Sequence, residues 1–387
     1  MKVSQVYELM NTVTEELLGE SGLVKEDLSN VADLGVQIFN ATSVDNYVRS
    51  LVDHIGKVIF VNRAYAGGAP SVLMDGWEFG AVLEKIQCDI PDASENESWL
   101  LENGESYDTN IFQGPTISAK FYQKRVTFEV RMSLTDRQIK GSLSSAEQLN
   151  SFVSMIYNAV DKSMTVKLDA LIMRTINTMI GETIHAEYGS ANLNSKSTIK
   201  AVNLLYEYNN GPNAGGTALT AAKAMTDPEF IRFAVRQMNI IKTRLNKLSD
   251  LYNVEGKARF TPSDLLKVVM LSDFKESADV YLQSDTFHDE YTRLIPGDLI
   301  PYWQGCGTDY AFNTVSKINV TTPSGDDVEA TGILAVMFDR DALGVANMDR
   351  RTTSKFVESA EFYNNWFKMD AGYFADLSEN FVVFFVA

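Results

Sequence analysis

Residues 144–181 read SSAEQLNSFVSMIYNAVDKSMTVKLDALIMRTINTMIG, the longest helical pattern in the chain. Ser144 and Glu147 form a capping box at its start, where the side chain of each can accept a hydrogen bond from the backbone N–H of the other. Apolar residues then recur at helical spacing, without a proline, as far as Gly181: Leu149, Phe152, Val153, Ile156, Val160, Met164, Leu168, Leu171, Ile172, Met179 and Ile180. We predict one helix of about 38 residues, roughly 55–60 Å long. Such a length indicates a structural spine, since typical helices run three to four turns.

A long excursion with opposite charges on its two parts precedes this helix, at residues 76–140. A weak strand pattern occupies residues 77–88, and residues 126–132 alternate cleanly between apolar and polar side chains, which predicts a second strand. The stretch that follows the first strand is acidic, and it includes Glu95, Glu97, Glu102 and Glu105. The returning limb is basic, and it includes Lys120, Lys124, Arg125 and Arg131. A loop this long is uncommon in a compact domain and is usually functional, so we predict a functional hairpin.

The remaining patterns predict a mixed α+β chain. Helical patterns occupy residues 3–18, 44–55, 199–208 and 228–251, and strand or short-element patterns occupy 58–61, 265–270, 279–282 and 333–338. A loop is expected at 209–217, and a polar link through Arg350 and Arg351 leads to an aromatic tail. The first helix is acidic with one apolar stripe, which packs either on its own domain or, as a swapped arm, on a neighbouring subunit.

Composition narrows the class of protein. A chain of 387 residues exceeds one compact core, so two or three subdomains are expected. The formal net charge is −17, which argues against nucleic-acid binding as the main task, because such binding needs basic surface. Cys88 and Cys306 cannot build a disulfide framework or a zinc cluster, which fits a reducing cytoplasm. The N-terminus lacks the apolar core of a signal peptide.

Two groups of residues resemble ligand-binding motifs, but the sequence favours a structural interpretation of each. The three histidines, His54, His185 and His288, are far apart in sequence. Residues 211–216 have the glycine spacing of a phosphate loop, but Thr217 stands where the lysine is needed, so a loop is favoured.

Two charged groups leave alternatives open. Asp339 and Asp341 could bind a metal, although Arg340 more plausibly pairs with one of them or with an adjoining subunit. A basic cluster lies on the helix at 228–251: Arg232, Arg236, Lys242, Arg244 and Lys247. It is either a solvated face, which is the default, or an inner patch that tolerates packaged DNA.

The order of these parts, together with four longer strings, resembles one family. The strings are TPSDLLKVVMLSDFKESADVYLQSDTFHDE (261–290), YWQGCGTDYAFNTVSKINV (302–320), GILAVMFDRDALGVANMDRR (332–351) and AEFYNNWFKMDAGYFADLSENFVVFF (360–385). They are similar to strings in major capsid proteins of small tailed phages, which have the Hong Kong 97 fold. No single string is specific, but their combination covers most of the chain from about residue 77.

The resemblance implies an α+β Hong Kong 97-like architecture. Its parts would be an N-terminal arm (1–40), the start of a peripheral domain (41–75), an extended E-loop region (76–140), the peripheral domain with the spine helix (141–196), an axial domain (197–330) and a return to the peripheral domain (331–387). The implied function is a shell subunit without catalytic, cofactor or metal site. The alternatives are an encapsulin-like nanocompartment shell protein and a soluble hydrolase that uses paired carboxylates.

The resemblance also implies partners. The chain would assemble with itself into pentamers and hexamers, with a separate scaffolding protein, a portal protein, a possible decoration protein and packaged double-stranded DNA that is bound without sequence specificity. A cleaved built-in scaffold is not expected. The subunit would be made in the cytoplasm of a host bacterium and end in the virion capsid, with no membrane partner. The candidate contacts between subunits are Glu95, Glu97, Glu102, Glu105, Lys120, Lys124, Arg125, Arg131, Arg340, Arg350 and Arg351.

Overall fold

The structure, a computed structural model, describes residues 69–74, 83–88, 90, 91, 93, 101–103, 105, 114–135, 146–189, 191–283, 294–301, 303, 317–322, 325–360 and 362–387. The predictions of an N-terminal arm, of a helix at 44–55 and of a strand at 58–61 lie outside the described residues.

The described elements form a mixed α+β chain, as predicted. The strands are β1 (Leu73–Met74), β2 (Leu83–Cys88), β3 (Ile117–Tyr122), β4 (Arg125–Thr135), β5 (Ala201–Asn203), β6 (Leu266–Leu271), β7 (Asp298–Ile300), β8 (Ile318–Thr321), β9 (Asp327–Ala330), β10 (Ile333–Asp339), β11 (Leu343–Val357), β12 (Phe362–Ala375) and β13 (Phe381–Phe385). The helices are α1 (Ala146–Tyr188), α2 (Leu204–Asn210), α3 (Ala221–Ala224), α4 (Pro228–Leu245) and α5 (Ser272–Gln283).

The predicted spine helix is confirmed as α1, and at 43 residues it is longer than predicted. The expected end at Gly181 is wrong: the helix continues through this residue, because a glycine inside a helix weakens it without ending it. A Cβ atom at Gly181 would lie 3.5 Å from Val320 on β8. The helix ends instead at Tyr188, and the next residue, Gly189, has a φ of 55° in the left-handed region and donates its N–H to the carbonyl of His185.

Helix α1 connects the two main sheets. Its first half buries one stripe at four-residue spacing: Ile156, Val160, Met164 and Leu168. Its second half is buried on most sides, because strands of both sheets and the β8–β9 pair pack around it. Thr175 and Thr183 are buried there without loss of hydrogen bonding, since each hydroxyl donates to the carbonyl four residues earlier.

The first sheet has the order β1-β11-β12-β4. The predicted alternation at 126–132 is confirmed in β4, whose side chains alternate between exposed and half-buried positions. The predicted polar link through Arg350 and Arg351 is wrong: both residues lie within β11, which pairs antiparallel with β12 over most of its length. These residues form a strand because β12 lies beside them. Strand β12 alternates between buried and half-buried residues, and its backbone hydrogen-bonds to β11 although the β11 sequence is polar at this point.

The second sheet has the order β5-β13-β10-β6-β7 and takes strands from both sides of the predicted boundary at residue 330. Strands β10 and β13 come from 331–387, yet they are hydrogen-bonded to each other and lie between strands of 197–330. Every residue of both strands is buried. Continuous apolar runs of this kind are typical of strands in the centre of a sheet, where other elements pack against both faces. The segment 331–387 is therefore shared between the two sheets.

Smaller elements differ from the expectations in detail. The segment 199–208, predicted to be one helix, contains strand β5 followed by helix α2. Asn203 caps α2 by accepting a hydrogen bond from the N–H of Tyr206. The helix predicted at 228–251 is α4, which Asp227 caps and which ends at Leu245. The strand predicted at 77–88 is described as β2, over Leu83–Cys88. None of the described helices combines the length and the apolar character that crossing a membrane requires.

Candidate functional site at the foot of the charged hairpin

Strands β2 and β3 form the described part of the charged hairpin. They pair antiparallel, and the register sets Lys85 directly opposite Lys120. Directly paired residues of an antiparallel ladder share one face, so the two ammonium groups point the same way. Gln87 and Tyr122 occupy that face as well, and all four side chains are partly buried. Like charges opposite each other destabilise a ribbon unless nearby anions compensate for them.

Two carboxylates from the chain's last turn supply that compensation. Asp376 accepts from both lysines, with Lys85 Nζ 2.8 Å from Oδ2 and Lys120 Nζ 2.8 Å from Oδ1. Glu379 Oε1 lies 2.8 Å from Lys85 Nζ. A third acid, Glu255, lies 2.7 Å from Lys120 Nζ. The hairpin foot is thus held to the body of the same chain by at least four ion pairs, and we call these five residues the hairpin anchor.

The local sequence presents Asp376 in a fixed orientation. It opens the turn between β12 and β13, and its Oδ1 accepts from the backbone N–H of Ser378 at 3.1 Å and from that residue's hydroxyl at 2.8 Å. An aspartate that bonds the backbone two residues on forms an Asx turn, which fixes its rotamer. The carbonyl of Leu377 accepts from the backbone N–H groups of Val254 and Glu255. The turn therefore also positions Glu255 for Lys120.

Arg259 extends the anchor to the tip side of β2. Its NH2 donates to Gln87 Oε1 at 2.5 Å, and its Nε lies 3.2 Å from Glu379 Oε1. Gln87 in turn donates from Nε2 to Glu379 Oε1 at 3.3 Å. The backbone of Arg259 pairs with that of Ser249 in an isolated bridge, which holds the arginine beside the hairpin.

Burial and charge pull in opposite directions on the acids of the anchor. Burial acts to raise the pKa of Asp376, but hydrogen bonds from Lys120 and Lys85 outweigh it and hold that pKa well below its ordinary value. Burial dominates at Glu379 and raises its pKa despite Lys85 and Arg259. Burial and the neighbouring Asp376 raise the pKa of Tyr122. Asp376 is therefore the charged centre of the anchor at neutral pH.

The other predicted contact residues on the sheet side of the hairpin lie apart from the anchor. Arg131 pairs with Glu129 on its own strand, at 2.5 Å from Nε to Oε1. Arg351 pairs with Asp370 on β12, at 2.6 Å, and that pairing lowers the pKa of Asp370. Lys124, Arg125 and Arg340 are exposed, and Arg350 is half-buried.

The predicted acidic residues are only partly described. Glu95 and Glu97 lie outside the described residues, whereas Glu102 and Glu105 are exposed. The backbone N–H of Glu105 donates to the carbonyl of Glu102 at 3.1 Å, so these two sit in one turn. Lys120 is the one predicted contact residue that the structure brings into the hairpin anchor. The role of all eleven residues between subunits stays a prediction.

Sequence reasoning missed most of the anchor. Asp376, Glu379 and Glu255 were not singled out, although the string DLSE at 376–379 carries the Asp-x-Ser signal of an Asx turn. That signal predicts a turn but no partner. Lys85 and Asp376 are 291 residues apart, and no local pattern joins them.

The acids around Arg340 have a structural role within the chain. Asp339 accepts from the hydroxyl of Thr261 at 2.7 Å and from the N–H of Asp341 at 2.9 Å, so its carboxylate closes the turn after β10. Arg340 contributes its backbone N–H, which donates to the carbonyl of Leu265, while its side chain is exposed. Over the described residues, no group of three or more His, Cys, Asp or Glu side chains could hold a metal ion.

A cavity of about 700 Å³ lies between residues 197–199, α2 and α4. Burial raises the pKa of Glu207 on its wall, as an acid in an enzyme pocket would require. However, Glu207 is the one acid among the described residues that line it, so paired-carboxylate hydrolysis lacks its second group. Ser197 donates to Glu207 at 2.9 Å and accepts from the N–H of Asn203, which makes the acid part of the loop's own hydrogen bonding.

Comparisons with known proteins point to phage capsids. The family described as Phi29-like phage major capsid protein matches residues 10–385. The major capsid protein of Bacillus phage GA-1 is 20% identical over 168 residues, which are 42% of this chain and 34% of that protein, so the match spans about a third of the curated relative.

Solved structures give similar matches. A chain from the capsid structure of Staphylococcus phage Andhra has a TM-score of 0.47 at 10% identity, and the match covers 84% of this chain and 86% of that one. A chain from Mycobacterium phage Ogopogo has a TM-score of 0.39 at 12% identity, and the match covers 84% and 94% of the two chains.

Proposed function

Since the chain belongs to the Phi29-like phage major capsid protein family, we propose that copies of it assemble into the icosahedral shell of a phage head, which encloses the genome. The observation that carries the proposal is the family match over residues 10–385, nearly the whole chain. Shell formation is a structural task, and the hairpin anchor contributes to it by holding the base of a long charged hairpin on the body of its own subunit.

We assign the parts of a Hong Kong 97-like subunit as follows. Helix α1 and the β1-β11-β12-β4 sheet form the peripheral domain, and residues 76–140 form the E-loop region, whose returning strand β4 joins that sheet. The β5-β13-β10-β6-β7 sheet with α4 and α5 forms the axial domain, which extends the interval 197–330 by β10 and β13. Residues 1–40 form the N-terminal arm. In support, the anchored hairpin precedes the long helix in the chain, and every strand of the β5-β13-β10-β6-β7 sheet follows that helix, which is the order that the resemblance implies.

The contacts between subunits are assigned to the charged hairpin and to arginines in or next to the strands of the sheets. The acids are Glu95, Glu97, Glu102 and Glu105, and the bases are Lys120, Lys124, Arg125, Arg131, Arg340, Arg350 and Arg351. The exposure of Glu102, Glu105, Lys124 and Arg340 supports this assignment, because exposed charges remain available to a neighbour. Lys120 acts differently from the rest, by fixing the ribbon of β2 and β3, between which the four acids lie in the sequence.

Further partners follow from the same function. We infer a separate scaffolding protein and a portal protein, and a decoration protein is compatible with the shell. Packaged double-stranded DNA contacts the inner face without sequence specificity. The net charge of −17 supports a weak DNA contact, because an acidic chain displaces few counterions. The subunit is made in the cytoplasm of a host bacterium and becomes part of the virion.

The experiment that tests the function is co-expression of the chain with its scaffolding protein, followed by electron microscopy of the purified particles. We expect closed shells of uniform diameter with five-fold and six-fold clusters of subunits. A homogeneous, soluble and folded subunit that never forms closed particles, with or without the scaffold, would overturn the proposal. Shells that enclose a co-purified protein cargo instead of accepting DNA would favour a nanocompartment.

A further inference from the structure

The cavity of about 700 Å³ beside α4 combines an apolar floor with a basic rim. One side of α4 lines it with residues that recur at helical spacing: Phe233, Arg236, Gln237, Ile241 and Arg244. The buried floor is apolar or aromatic, and it consists of Val202, Phe233, Ile241 and Tyr252. The two arginines lie exposed at the rim. We call this feature the α4 cavity.

The two arginines of the rim have no acidic partner in the described part of the chain. Arg232, one turn before Arg236 on the same helix, pairs with Glu229 at 2.9 Å. No described carboxylate lies within ion-pair distance of Arg236 or Arg244. The chain has a formal net charge of −17, so two uncompensated guanidinium groups at one cavity are a local exception. Their positive potential favours an anion at the rim.

Glu207 is the one acid among the residues that line the α4 cavity. Its carboxylate accepts from the Ser197 hydroxyl at 2.9 Å, and burial raises its pKa. Arg244 acts on the pKa of Glu207 in the opposite direction, through space and without an ion pair. A carboxyl group that ionises less readily repels an anion less. The acid therefore does not cancel the attraction of the two arginines.

We propose that the α4 cavity binds a small amphiphilic organic anion, which has an apolar, ring-containing body and one sulfonate, carboxylate or phosphate group. The apolar body packs on the buried floor, and the anionic group lies at the rim beside the guanidinium groups of Arg236 and Arg244. The volume fits this class, because small-molecule sites measure roughly 300–1,000 Å³ and combine an apolar, aromatic lining with a few convergent polar groups.

The proposal is independent of shell formation. None of the residues assigned to contacts between subunits lines the α4 cavity. Binding is measured on the purified full-length subunit, which does not need to assemble. Failure of either proposal therefore leaves the other standing.

Two fluorescent probes separate the contribution of the charge from that of the apolar body. The anion is anilinonaphthalene sulfonate, and the neutral probe is phenylnaphthylamine, which has the same rings without the sulfonate. We expect Arg236→Gln with Arg244→Gln to weaken binding of the sulfonate about tenfold and to change binding of the neutral probe by less than about twofold. Unchanged affinity for the sulfonate overturns the proposal. Equal losses for both probes also overturn it, because the arginines then do not recognise the charge.

A matched control removes the same charge from the same helix. Arg232→Gln with Lys242→Gln takes away two positive charges, and neither residue lines the α4 cavity. Both double variants should keep the circular dichroism of the wild type. We expect the control to bind the sulfonate within about twofold of the wild type. A loss as large as that of the rim variant would reveal a general effect of net charge and would overturn the proposal.

Glu207→Gln tests the same site with the opposite sign. Glutamine keeps a carbonyl oxygen that can accept from Ser197, but it removes the negative charge beside the ligand. We expect binding of the sulfonate to become about two- to threefold tighter, with no change for the neutral probe. Weaker or unchanged binding of the sulfonate would place the probe away from Glu207 and contradict the α4 cavity as its site.

Duplex DNA is the other anion that a basic helix face could contact. It presents phosphates on the outside of a rigid rod and has no free apolar body to fill the floor of the α4 cavity. We expect a short duplex not to displace the sulfonate probe. Displacement by the duplex would assign the two arginines to a surface for DNA, and the small-molecule site would be wrong.

Discussion

Lys120 Nζ lies 2.8 Å from Asp376 Oδ1, and this contact joins the returning strand of the charged hairpin to the turn before the last strand, 256 residues further along the chain. Asp376 also accepts from Lys85 on the outgoing strand, so one carboxylate binds both limbs. An isolated two-stranded ribbon is marginal in water. The contact gives this ribbon a fixed base and a fixed choice of which face turns outward.

The first prediction concerns the central carboxylate. Asp376→Asn removes the charge that both lysines share and leaves two ammonium groups facing each other. We expect the free energy of unfolding to fall by about 2–3 kcal/mol, below the full value for a buried pair because both lysines keep some contact with water. Faster hydrogen exchange of the β2 and β3 amides should accompany the loss.

The matched control for this variant is Asp370→Asn, which breaks the pair with Arg351. The Asp370 and Arg351 side chains are 21% and 43% exposed, whereas the Asp376 side chain is fully buried. An exposed pair contributes about 0–1 kcal/mol, so the control should lose little, and exchange in β2 and β3 should not change. Equal losses of unfolding free energy in the two variants would mean that the hairpin anchor stabilises the chain no more than an exposed ion pair does.

A second prediction follows from the pKa of Asp376, which its lysine partners hold below the ordinary value. Such a group contributes stability that is fully present above the unfolded-state pKa, near about 4, and that is lost as pH falls through the folded-state pKa. The difference in unfolding free energy between wild type and Asp376→Asn should therefore be constant between about pH 7 and pH 5 and shrink below about pH 4. Glu379 has the opposite sign, because its raised pKa makes protonation easier in the folded chain.

The measurement is denaturant unfolding of both chains at a series of pH values. Subtraction of the two curves removes the groups that titrate alike in both chains. A difference that stays constant down to about pH 2 would show that Asp376 is not the titrating group.

A third prediction concerns Gly332, which precedes the central strand β10. Its φ is 74°, and a Cβ atom there would lie 1.9 Å from the carbonyl oxygen of Val386. Gly332→Ala should destabilise the chain by about 3 kcal/mol, from left-handed backbone strain and the clash together. Gly325→Ala separates the two causes, because Gly325 has a φ of 96° and no described atom within 4 Å of the added Cβ. The free energy of unfolding of the control should fall by about 1–2 kcal/mol. Denaturant unfolding of each variant measures both values.

Local periodicity was sufficient to predict α1 and β4, because their own side chains determine helix and strand. It failed for β11, where Arg350 and Arg351 have no apolar alternation and the strand exists because β12 pairs with it. It also could not show that two buried runs, at 333–339 and 381–385, insert into a sheet whose other strands come from residues 201–300.

The polarity of the hairpin could not be predicted from its sequence. Alternation alone would turn Ile86 and Phe121 toward the core and the lysines toward water. The structure does the reverse, because carboxylates that lie far away in sequence compensate for Lys85 and Lys120. Local patterns carry no information about charges that arrive from the other end of the chain.

A fourth prediction tests the spine. Leu168 is fully buried in the middle of α1. Leu168→Pro removes a helical hydrogen bond and clashes with the preceding turn, which costs about 3 kcal/mol or more and kinks the helix. Because α1 packs on both sheets, we expect loss of soluble assembly-competent subunits on size-exclusion chromatography. Leu168→Met conserves volume and should assemble normally. Normal shells from the proline variant would contradict the role of α1 as a rigid spine.

The last prediction concerns the acidic part of the hairpin. Replacing Glu95, Glu97, Glu102 and Glu105 with glutamine removes four negative charges per subunit and leaves the hairpin anchor intact. Each exposed ion pair contributes roughly 0–1 kcal/mol, but a closed shell repeats the contact in every subunit. We therefore expect an unchanged circular dichroism spectrum and wild-type unfolding, with fewer shells or shells that dissociate at lower salt, because salt screens such pairs within about 3 Å at 1 M. Light scattering against salt concentration measures the difference.

As a control, glutamine at Glu229, Glu276, Glu329 and Glu358 removes the same charge elsewhere and should leave salt tolerance closer to wild type. Wild-type yield and salt tolerance in the hairpin variant, or its unfolding as a monomer, would refute a contact between subunits at these acids.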